Sequence, residues 1–291
     1  MPALGRNLVY ATGFVCILRG SSQAVLVRAS DGLLYVVKFT NIQQSPNVPF
    51  NEAIGTELFR ACGLAVPLWK QLWVTDSFLD KNKECWPQTE EGPKRPVPGV
   101  CFGSCFLGGN RAYLLEILSG SDFKRVKNRS SFWLAWLIDI CATHVDHRQA
   151  VFVDDGSRIL DARFIDHGEL FGGPKGDQKK NFRASRYLDD RIYQDSSSSE
   201  VCNLLADSES VNQEKLWQRA MELPDEWKTV SAFDGLKQCL GRMSTHCLVE
   251  EIIETMREDI HQANAAHARK LEPGWSPPEA ILRPQIQEAR R

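Results

Sequence analysis

The stretch VDHRQAVFVDDGSRILDARFIDHG, residues 145–168, decides the fold. It consists of a short apolar segment, an Asp-Asp-Gly turn and a longer apolar segment, which predicts a β-hairpin. If the turn centres near residues 155 and 156, the antiparallel register places Asp146 opposite residue 165 and therefore beside Asp166. Opposed Cα atoms in such a ladder lie about 4.5–5.5 Å apart. The sequence thus predicts that two aspartates meet at the open end of the hairpin.

Two carboxylates at that separation repel each other unless a cation or a shared proton lies between them. Each aspartate also adjoins apolar residues, Val145 in one case and Ile165 in the other, where an isolated charge is costly. This pattern favours a functional site with a divalent metal or a basic side chain. The alternative is that both carboxylates are solvated charges at the ends of strands.

The first third of the chain is predicted to form an antiparallel β-meander. Folding about the turn near residue 31 places Lys38 opposite Ala24, beside the small-residue loop 20–23. Such a loop can point backbone N–H groups at an anion, and a lysine on the next strand adds a point charge for phosphate. Their adjacency predicts a phosphate site, although each feature alone is common. The predicted strands are FVCIL (14–18), AVLVRA (24–29) and LLYVVKF (33–39).

A helix is predicted over PFNEAIGTELFRACG, residues 49–63. Asn51 is its expected N-cap, and Gly63 suits the left-handed residue after its end. Glu52 in the first turn is expected to pair with Lys38, with Glu57 as the alternative partner.

The rest of the chain changes from strand-like to helical patterns. Strands are predicted at 68–74 and 112–118, with a polar inserted loop between them at 76–99. FWLAWLIDICA, residues 132–142, is apolar nearly all round and predicts a buried helix. Mostly helical patterns continue to about residue 270. The outline is an α+β fold, with a small antiparallel β-rich part containing one helix and a larger, mainly helical part.

Composition limits the class of protein. The net charge of −2 gives no indication of a nucleic-acid or membrane partner. The longest mostly apolar run, 132–142, is too short to cross a bilayer. Nine scattered cysteines, an odd number, favour reduced thiols in a cytoplasmic protein over a disulfide framework.

The chain resembles the HipA-like kinases, a family with a protein-kinase-like fold and a distant relation to phosphatidylinositol kinases. The resemblance rests on the order of several short segments between about residues 15 and 175. These are RGSSQAVLV (19–27), YVVKF (35–39), NE (51–52), CGLAVP (62–67), VCFGS (100–104), VDHRQAVF (145–152) and FIDHG (164–168).

The resemblance implies a two-lobed protein-kinase-like fold. Residues 1–118 would form the small lobe, with the phosphate-binding meander, its helix and the hinge strand. Residues 119–272 would form the helical lobe with the catalytic hairpin. Independently of the resemblance, residues 273–291 contain four prolines and a charged end, which predicts a flexible tail.

The resemblance also implies a nucleotide site in the small lobe. Gly20, Ser21 and Ser22 would cover the phosphates of ATP. Lys38 would bind these phosphates and Glu52 would hold Lys38. The strand 113–118 would be the hinge, with its backbone from Glu116 to Leu118 hydrogen-bonding adenine.

The larger lobe would supply the carboxylates. Asp146 resembles the catalytic aspartate that receives or orients the acceptor hydroxyl. Asp166, in IDHG, resembles a metal-binding aspartate, with His167 in the position of a phenylalanine. His144 and His147 flank Asp146, and a structural role is favoured for both.

One position departs from the family pattern. The family has an asparagine metal ligand five residues after the catalytic aspartate, and this chain has Val151 there. Gln149 carries a side-chain carbonyl oxygen and is the candidate replacement, whereas the alternative is a polar loop residue with no ligand role.

The leading interpretation is an ATP- and Mg²⁺-dependent phosphotransferase that acts on a hydroxyl of a protein or small molecule. The alternative is a pseudokinase that acts as a nucleotide-binding or protein-interaction module. A nucleotidyl transferase on the same scaffold would use the same residues. The basic residues Lys175, Lys179, Lys180 and Arg183 could face an acidic acceptor, but a solvated surface is favoured.

Overall fold

The computed structural model describes residues 8–18, 22–39, 47–108, 113–174, 176, 185–194 and 211–270, with side chains up to residue 264. The predicted tail and the four basic residues after the glycine-rich segment lie outside these ranges. The strands are β1 (Leu8–Ile17), β2 (Val25–Ala29), β3 (Leu34–Val37), β4 (Trp69–Val74), β5 (Gln88–Thr89), β6 (Gly92–Pro93), β7 (Gly99–Cys105), β8 (Tyr113–Leu115), β9 (Gln149–Asp154) and β10 (Leu160–Ile165). The α-helices are α1 (Asn47–Ala61), α2 (Asp76–Lys81), α3 (Ser131–Cys141), α4 (Gln213–Met221), α5 (Val230–Met243) and α6 (His246–Lys270).

Five strands form a closed barrel in the order β1-β2-β3-β7-β4. The predicted meander β1-β2-β3 is present and antiparallel. β1 begins at Leu8, six residues before the predicted strand, because its first part pairs in parallel with β4. A parallel partner that is distant in sequence leaves no turn signal near Leu8, which explains why the pattern did not indicate this segment. The barrel closes around a core that includes Val25, Tyr35 and Leu72.

The segment predicted as an inserted loop at 76–99 contains regular structure. It holds α2, a short 3₁₀ helix at Lys83–Cys85 and the two-stranded sheet of β5 and β6. Phe78, Leu79 and Cys85 from this segment are buried in the barrel core. The three apolar residues attach the segment to the barrel, and most of the remaining residues of the segment are polar.

The predicted hairpin is present as β9 and β10, which pair antiparallel. Their connection is the five-residue loop 155–159 and not a tight Asp-Asp-Gly turn. The carboxylate of Asp154, the last residue of β9, accepts a hydrogen bond from the Gly156 N–H of this loop at 2.9 Å. Such side-chain-to-backbone bonds stabilise a longer turn than the sequence pattern indicated.

The longer loop changes the register at the open end of the hairpin. Gln149 lies opposite Ile165, at the place where Asp146 was predicted. Asp146 therefore lies beyond the first residue of β9, and the prediction that it directly opposes residue 165 was wrong. Asp166 is instead level with Arg148 when the register is continued.

β8 joins the hairpin and extends it to a three-stranded sheet in the order β10-β9-β8. Of the predicted strand 112–118, Tyr113–Leu115 is extended and pairs with β9, residues 116–118 are not, and Ala112 lies outside the described residues. A bend follows at Glu116, which is exposed, and Leu118 is buried in the larger core.

Helix α1 begins at Asn47, earlier than predicted, and Asn51 is not its N-cap. Asn51 is fully buried, and its amide donates to the carbonyl oxygens of Gly168 and Leu170 at 2.9 and 2.7 Å. The predicted end is present. Gly63 has φ 78°, and the hydrogen bonds Gly63 N–H to Arg60 O and Leu64 N–H to Phe59 O form a Schellman motif.

The apolar face of α1 packs into the larger core, although its sequence position is next to the barrel strands. Phe50, Ile54 and Leu58 are buried together with Phe132 of α3 and Phe164 of β10. The helix is thereby fixed to the elements that carry the hairpin.

One glycine allows α1 to approach the segment after β10. A Cβ on Gly55 would lie 2.5 Å from Leu170 Cδ1 and 2.6 Å from His167 Cβ. Both distances are shorter than any relaxed carbon–carbon contact, so any side chain here would push the helix away from residues 167–170.

Within the described residues, no helix is both long and apolar enough to cross a bilayer. The eight cysteines in these ranges are free thiols, and five of them, including Cys101 and Cys141, are buried. Burial raises the pKa of Cys101 to about 12, which favours the neutral thiol.

We expect Gly55→Ala to destabilise the protein by about 1–3 kcal/mol, because the added methyl group overpacks the contact with residues 167–170. Gly241→Ala in α5 is the matched control, since a Cβ there meets nothing within 4 Å. That change should stabilise by about 0.5–1 kcal/mol, the helix-propensity difference between the two residues. Denaturant unfolding of both variants measures these values, and equal effects of the two substitutions would contradict the proposed close approach.

Candidate active site

Lys38 lies directly after β3 and contacts two carboxylates. Its Nζ is 2.7 Å from Glu52 Oε1 and 2.5 Å from Asp166 Oδ1. β2 and β3 pair Val25 with Val37, which is the predicted register, and Ala24 and Lys38 are the next residues beyond this last pair. Burial alone would lower the pKa of Lys38, but the two adjacent carboxylates outweigh it and raise the pKa. Lys38 is therefore a fixed positive charge.

Glu52 connects the lysine to the segment after β10. Its side chain is 5% exposed, and its Oε2 accepts a hydrogen bond from the His167 N–H at 3.0 Å. Burial raises the pKa of Glu52, Lys38 opposes this shift and the nearby Asp166 charge adds to it. Glu57, the alternative partner predicted for Lys38, instead accepts hydrogen bonds from Arg60 and from the Trp69 indole.

Asp166 directly follows β10 and has a left-handed backbone with φ 59°. That conformation costs roughly 1–3 kcal/mol in a residue other than glycine and persists only where surrounding contacts impose it. Burial opposes the ionised form, but Lys38 and more distantly Arg148 outweigh it and lower the pKa of Asp166. The backbone turn directs an ionised carboxylate at Lys38.

Asp146 lies in the loop between α3 and β9 and is exposed. Its Oδ1 accepts a hydrogen bond from the His147 N–H at 2.7 Å, which orients the carboxylate within its own loop. The neighbouring Val145 N–H donates to the Glu169 carbonyl oxygen at 3.1 Å. This bond ties the Asp146 loop to the Asp166 segment.

The buried side chain of Arg148 connects the loop that carries Asp146 to the segment that carries Asp166. Its guanidinium forms a two-point ion pair with Asp139 of α3, including Nε to Oδ2 at 2.8 Å, and both side chains are at most 1% exposed. Its Nη1 donates to the Ile165 carbonyl oxygen at 2.9 Å. The guanidinium also lies 4.7 Å from the centre of the Phe59 ring of α1. A charge this deeply buried is costly unless fully paired, so these partners are fixed together.

The two histidines near Asp146 have different surroundings. The His147 Nδ1 lies 3.3 Å from the Arg186 carbonyl oxygen. His144 is 3% exposed, and burial lowers its pKa well below the usual value, with the nearby Arg148 charge adding to the shift. Its ring is therefore neutral at physiological pH.

Glu169 is a residue of this site that sequence analysis did not select. Burial and the neighbouring charges of Asp166 and Asp146 raise its pKa to about 6. Glycine at 173, with φ 72°, makes room for it, because a Cβ there would lie 3.0 Å from Glu169 Oε2. The only sequence signal was its position three residues after Asp166.

The other predicted site residues are placed as follows. Ser22 is partly buried beside the start of β2, whereas Gly20 and Ser21 lie outside the described residues. Gln149 is exposed at the first position of β9. Val151 is inside β9, opposite Arg163, and its side chain is apolar and buried.

The site has an excess of carboxylates around one lysine. Lys38 supplies one positive charge against the carboxylates of Glu52 and Asp166, and Asp146 and Glu169 add negative charge on the same side. Mg²⁺ in such sites takes one or two carboxylates together with phosphate oxygens and water. Among the described residues, no three or more His, Cys, Asp or Glu side chains are grouped as a metal site.

Comparison with known proteins identifies the fold. No protein-family model matches the chain, and no curated protein matches its sequence. The Helicobacter pylori proinflammatory kinase CtkA has a similar structure, with a TM-score of 0.53 and 13% identity over 83% of this chain and 94% of that chain. This chain has a protein-kinase-like fold.

Two further solved structures are similar at lower TM-scores. The Golgi casein kinase has a TM-score of 0.48 and 12% identity, over 86% of this chain and 75% of that chain. The same kinase with Mn/ADP bound has a TM-score of 0.44 and 13% identity, over 84% and 74%. At 13% identity, the similarity to the H. pylori kinase establishes the fold of this chain and not its activity.

We expect Glu169→Gln to stabilise the protein above pH 7 and to have little effect near pH 4. The pKa of Glu169 is raised from its ordinary value of 4.5 to about 6 in the folded protein. The cost in stability therefore grows as pH rises from about 4.5 to about 6 and is complete above that. The amide cannot ionise and avoids this cost. Because Glu169 is partly exposed, solvent screening reduces the gain to about 1 kcal/mol, a rise in Tm of roughly 2 °C. Thermal melts at pH 4 and pH 8 test this, and a gain at pH 4 equal to that at pH 8 would rule out the titration of Glu169 as its cause.

Proposed function

We propose that this protein is an ATP- and Mg²⁺-dependent phosphotransferase of the HipA-like type, acting on a hydroxyl of a protein or small molecule. The observation that carries the proposal is the position of Lys38 between Glu52 and Asp166. A partly buried lysine held by two carboxylates is a preorganised positive charge at the edge of the barrel. Phosphoryl transfer depends mainly on such positioning and charge stabilisation.

In this proposal the chain divides as the resemblance implies. Residues 1–118 form a small lobe, 119–272 a helical lobe and 273–291 a tail, and the nucleotide lies between the two lobes. Gly20, Ser21 and Ser22 cover the phosphates. The backbone from Glu116 to Leu118 contacts adenine.

Each carboxylate has its own role. Asp146, exposed and oriented by its own loop, accepts or orients the proton of the acceptor hydroxyl. Asp166 and Gln149 would hold Mg²⁺, which neutralises charge on the phosphates. Glu52 keeps Lys38 in place and does not contact the substrate.

A pseudokinase is the second candidate, and Val151 is the observation that favours it. This residue is buried in β9 and cannot replace the asparagine ligand of the family. Such a protein would act through protein contacts or through nucleotide binding without transfer. Nucleotidyl transfer by the same residues would move the α-phosphate of ATP, whereas phosphotransfer moves the γ-phosphate.

For a phosphotransferase, γ-labelled ATP with Mg²⁺ should label an acceptor or the protein itself. Asp146→Asn should lower transfer by about 10²-fold or more, because it removes the proton acceptor but keeps the side-chain shape. Asp155→Asn, in the loop at the other end of the hairpin from Asp166, is the matched control and should transfer normally. Equal labelling by the Asp146 variant would remove it from the catalytic assignment, and transfer of an α-label would indicate nucleotidyl transfer.

Nucleotide binding is tested separately from transfer. Mg-ATP at 100 times its Kd should stabilise the wild type by about 2.7 kcal/mol in thermal melts. Lys38→Met should lose most of this shift, since it removes the positive charge near the phosphates. The unliganded melting temperature of the variant shows whether it is folded. If the wild type shows no shift with Mg-ATP, the nucleotide-independent pseudokinase is favoured instead.

A further inference from the structure

His167 is buried against one apolar and one charged side chain. The residue is 2% exposed, and the centre of its ring lies 4.5 Å from that of Phe59 of α1. Its Nδ1 lies 3.3 Å from the Nη1 of Arg148. A guanidinium group only donates hydrogen bonds, so Nδ1 is the unprotonated nitrogen of the ring and accepts this bond.

Packing alone does not account for an imidazole at this position. The Nε2 atom of His167 is buried and makes no hydrogen bond of normal geometry among the described residues. A buried donor without a partner costs stability, whereas a phenylalanine ring fills a similar space and has no polar atom to satisfy. Phenylalanine is also the residue that the family resemblance implies here. The imidazole therefore contributes through Nδ1 and its bond to Arg148.

The guanidinium of Arg148 reaches three consecutive residues around Asp166. Its Nη1 lies 2.9 Å from the Ile165 carbonyl oxygen and 3.3 Å from the Asp166 carbonyl oxygen, in addition to the bond with His167. Its Nε and Nη2 bind the carboxylate of Asp139 of α3, which fixes the orientation of the guanidinium plane. The main chain on both sides of Asp166 is therefore held by one oriented group.

We propose that His167 is a positioning residue that acts through Arg148. Their hydrogen bond holds Asp166 in a fixed position relative to Asp146 for phosphoryl transfer, and the inference rests on the proposed function. Arg148 is two residues after Asp146 in the chain, so a guanidinium fixed against residues 165–167 also fixes the separation of the two aspartates. Transfer is sensitive to such placement, since a displacement of about 1 Å can lower a rate about 10²-fold.

Two substitutions of His167 separate the accepting atom from the ring. His167→Phe keeps a ring and removes the acceptor, whereas His167→Asn keeps an acceptor oxygen close to the place of Nδ1 and removes the ring. With γ-labelled ATP and Mg²⁺, we expect kcat to fall about tenfold in His167→Phe, the equivalent of one hydrogen bond to a charged group. In His167→Asn, kcat should stay within about threefold of the wild type. KM for Mg-ATP should change less than about threefold in both variants, because Lys38 is retained.

The stability of the two variants should follow the opposite order. His167→Phe should melt at or above the wild-type temperature, because it removes an unpaired buried donor and Arg148 keeps two carbonyl acceptors. His167→Asn should melt roughly 5 °C lower, because it leaves a cavity beside Phe59. If His167 had only a structural role, activity and stability would follow the same order.

Hydrogen exchange provides a measurement that does not require turnover. The main-chain N–H of residue 167 donates to Glu52 at 3.0 Å. Relative to the amides of α3 in the same protein, this amide should exchange faster in His167→Phe than in His167→Asn, because only the former loses the bond to Arg148.

The double variant Asp139→Leu with Arg148→Met supplies the matched background. Replacing a buried ion pair by apolar residues of similar size is often neutral for stability, and it leaves no guanidinium for residue 167 to bind. In this background, His167→Phe and His167→Asn should transfer label at equal rates. A tenfold difference that persists there would overturn the inference. The comparison of the two single variants decides the question even if this background is unfolded or inactive.

Wild-type kcat in His167→Phe would overturn the inference, as would an equal loss of kcat in both single variants, which indicates general disruption of the site. If the wild type transfers no label from ATP, the proposed function fails and the inference fails with it. That outcome is recognised in the wild type, whereas failure of the inference alone is recognised only in the variants.

Discussion

The site depends on the close approach of helix α1 to the residues that follow β10. Gly55 leaves no side chain at the contact, so the helix backbone lies against His167 and Leu170. Asn51 and Glu52, on the same helix, can then reach the main chain of this segment. The pair between Lys38 and Glu52 is a consequence of this packing. If the helix moved outward, the lysine would lose one of its two carboxylates.

A second constraint acts on the same segment. The buried pair of Arg148 and Asp139 joins α3 to the loop after it, and Arg148 also holds the Ile165 carbonyl oxygen. Removing one member would leave an unpaired buried charge, which typically costs several kcal/mol. The Asp166 backbone is therefore fixed by contacts from Glu52 of α1 and from Arg148, which is paired with α3, and these contacts explain how its left-handed conformation persists.

Local features of the site could be predicted from the sequence because they depend on residues that are close together along the chain. The register of β2 and β3, the end of α1 at Gly63 and the buried helix α3 each arise from short-range patterns. The hairpin was predicted, but its register was wrong. The Asp154 carboxylate accepts a hydrogen bond from the Gly156 N–H of a five-residue loop. The length of this loop sets the register, and no periodic pattern in the sequence shows that length.

The sequence by itself determined which segments become strands and helices in most of the site, and which ionisable residues stand at their ends. Tertiary structure alone decided that α1 packs with the helical core, that Glu169 joins Asp146 and Asp166, and that Gln23 is bound by a segment 65 residues away. The physical reason is range. Turn chemistry and periodicity act over a few residues, whereas burial of a helix face and pairing of buried charges depend on partners that only the folded chain brings together.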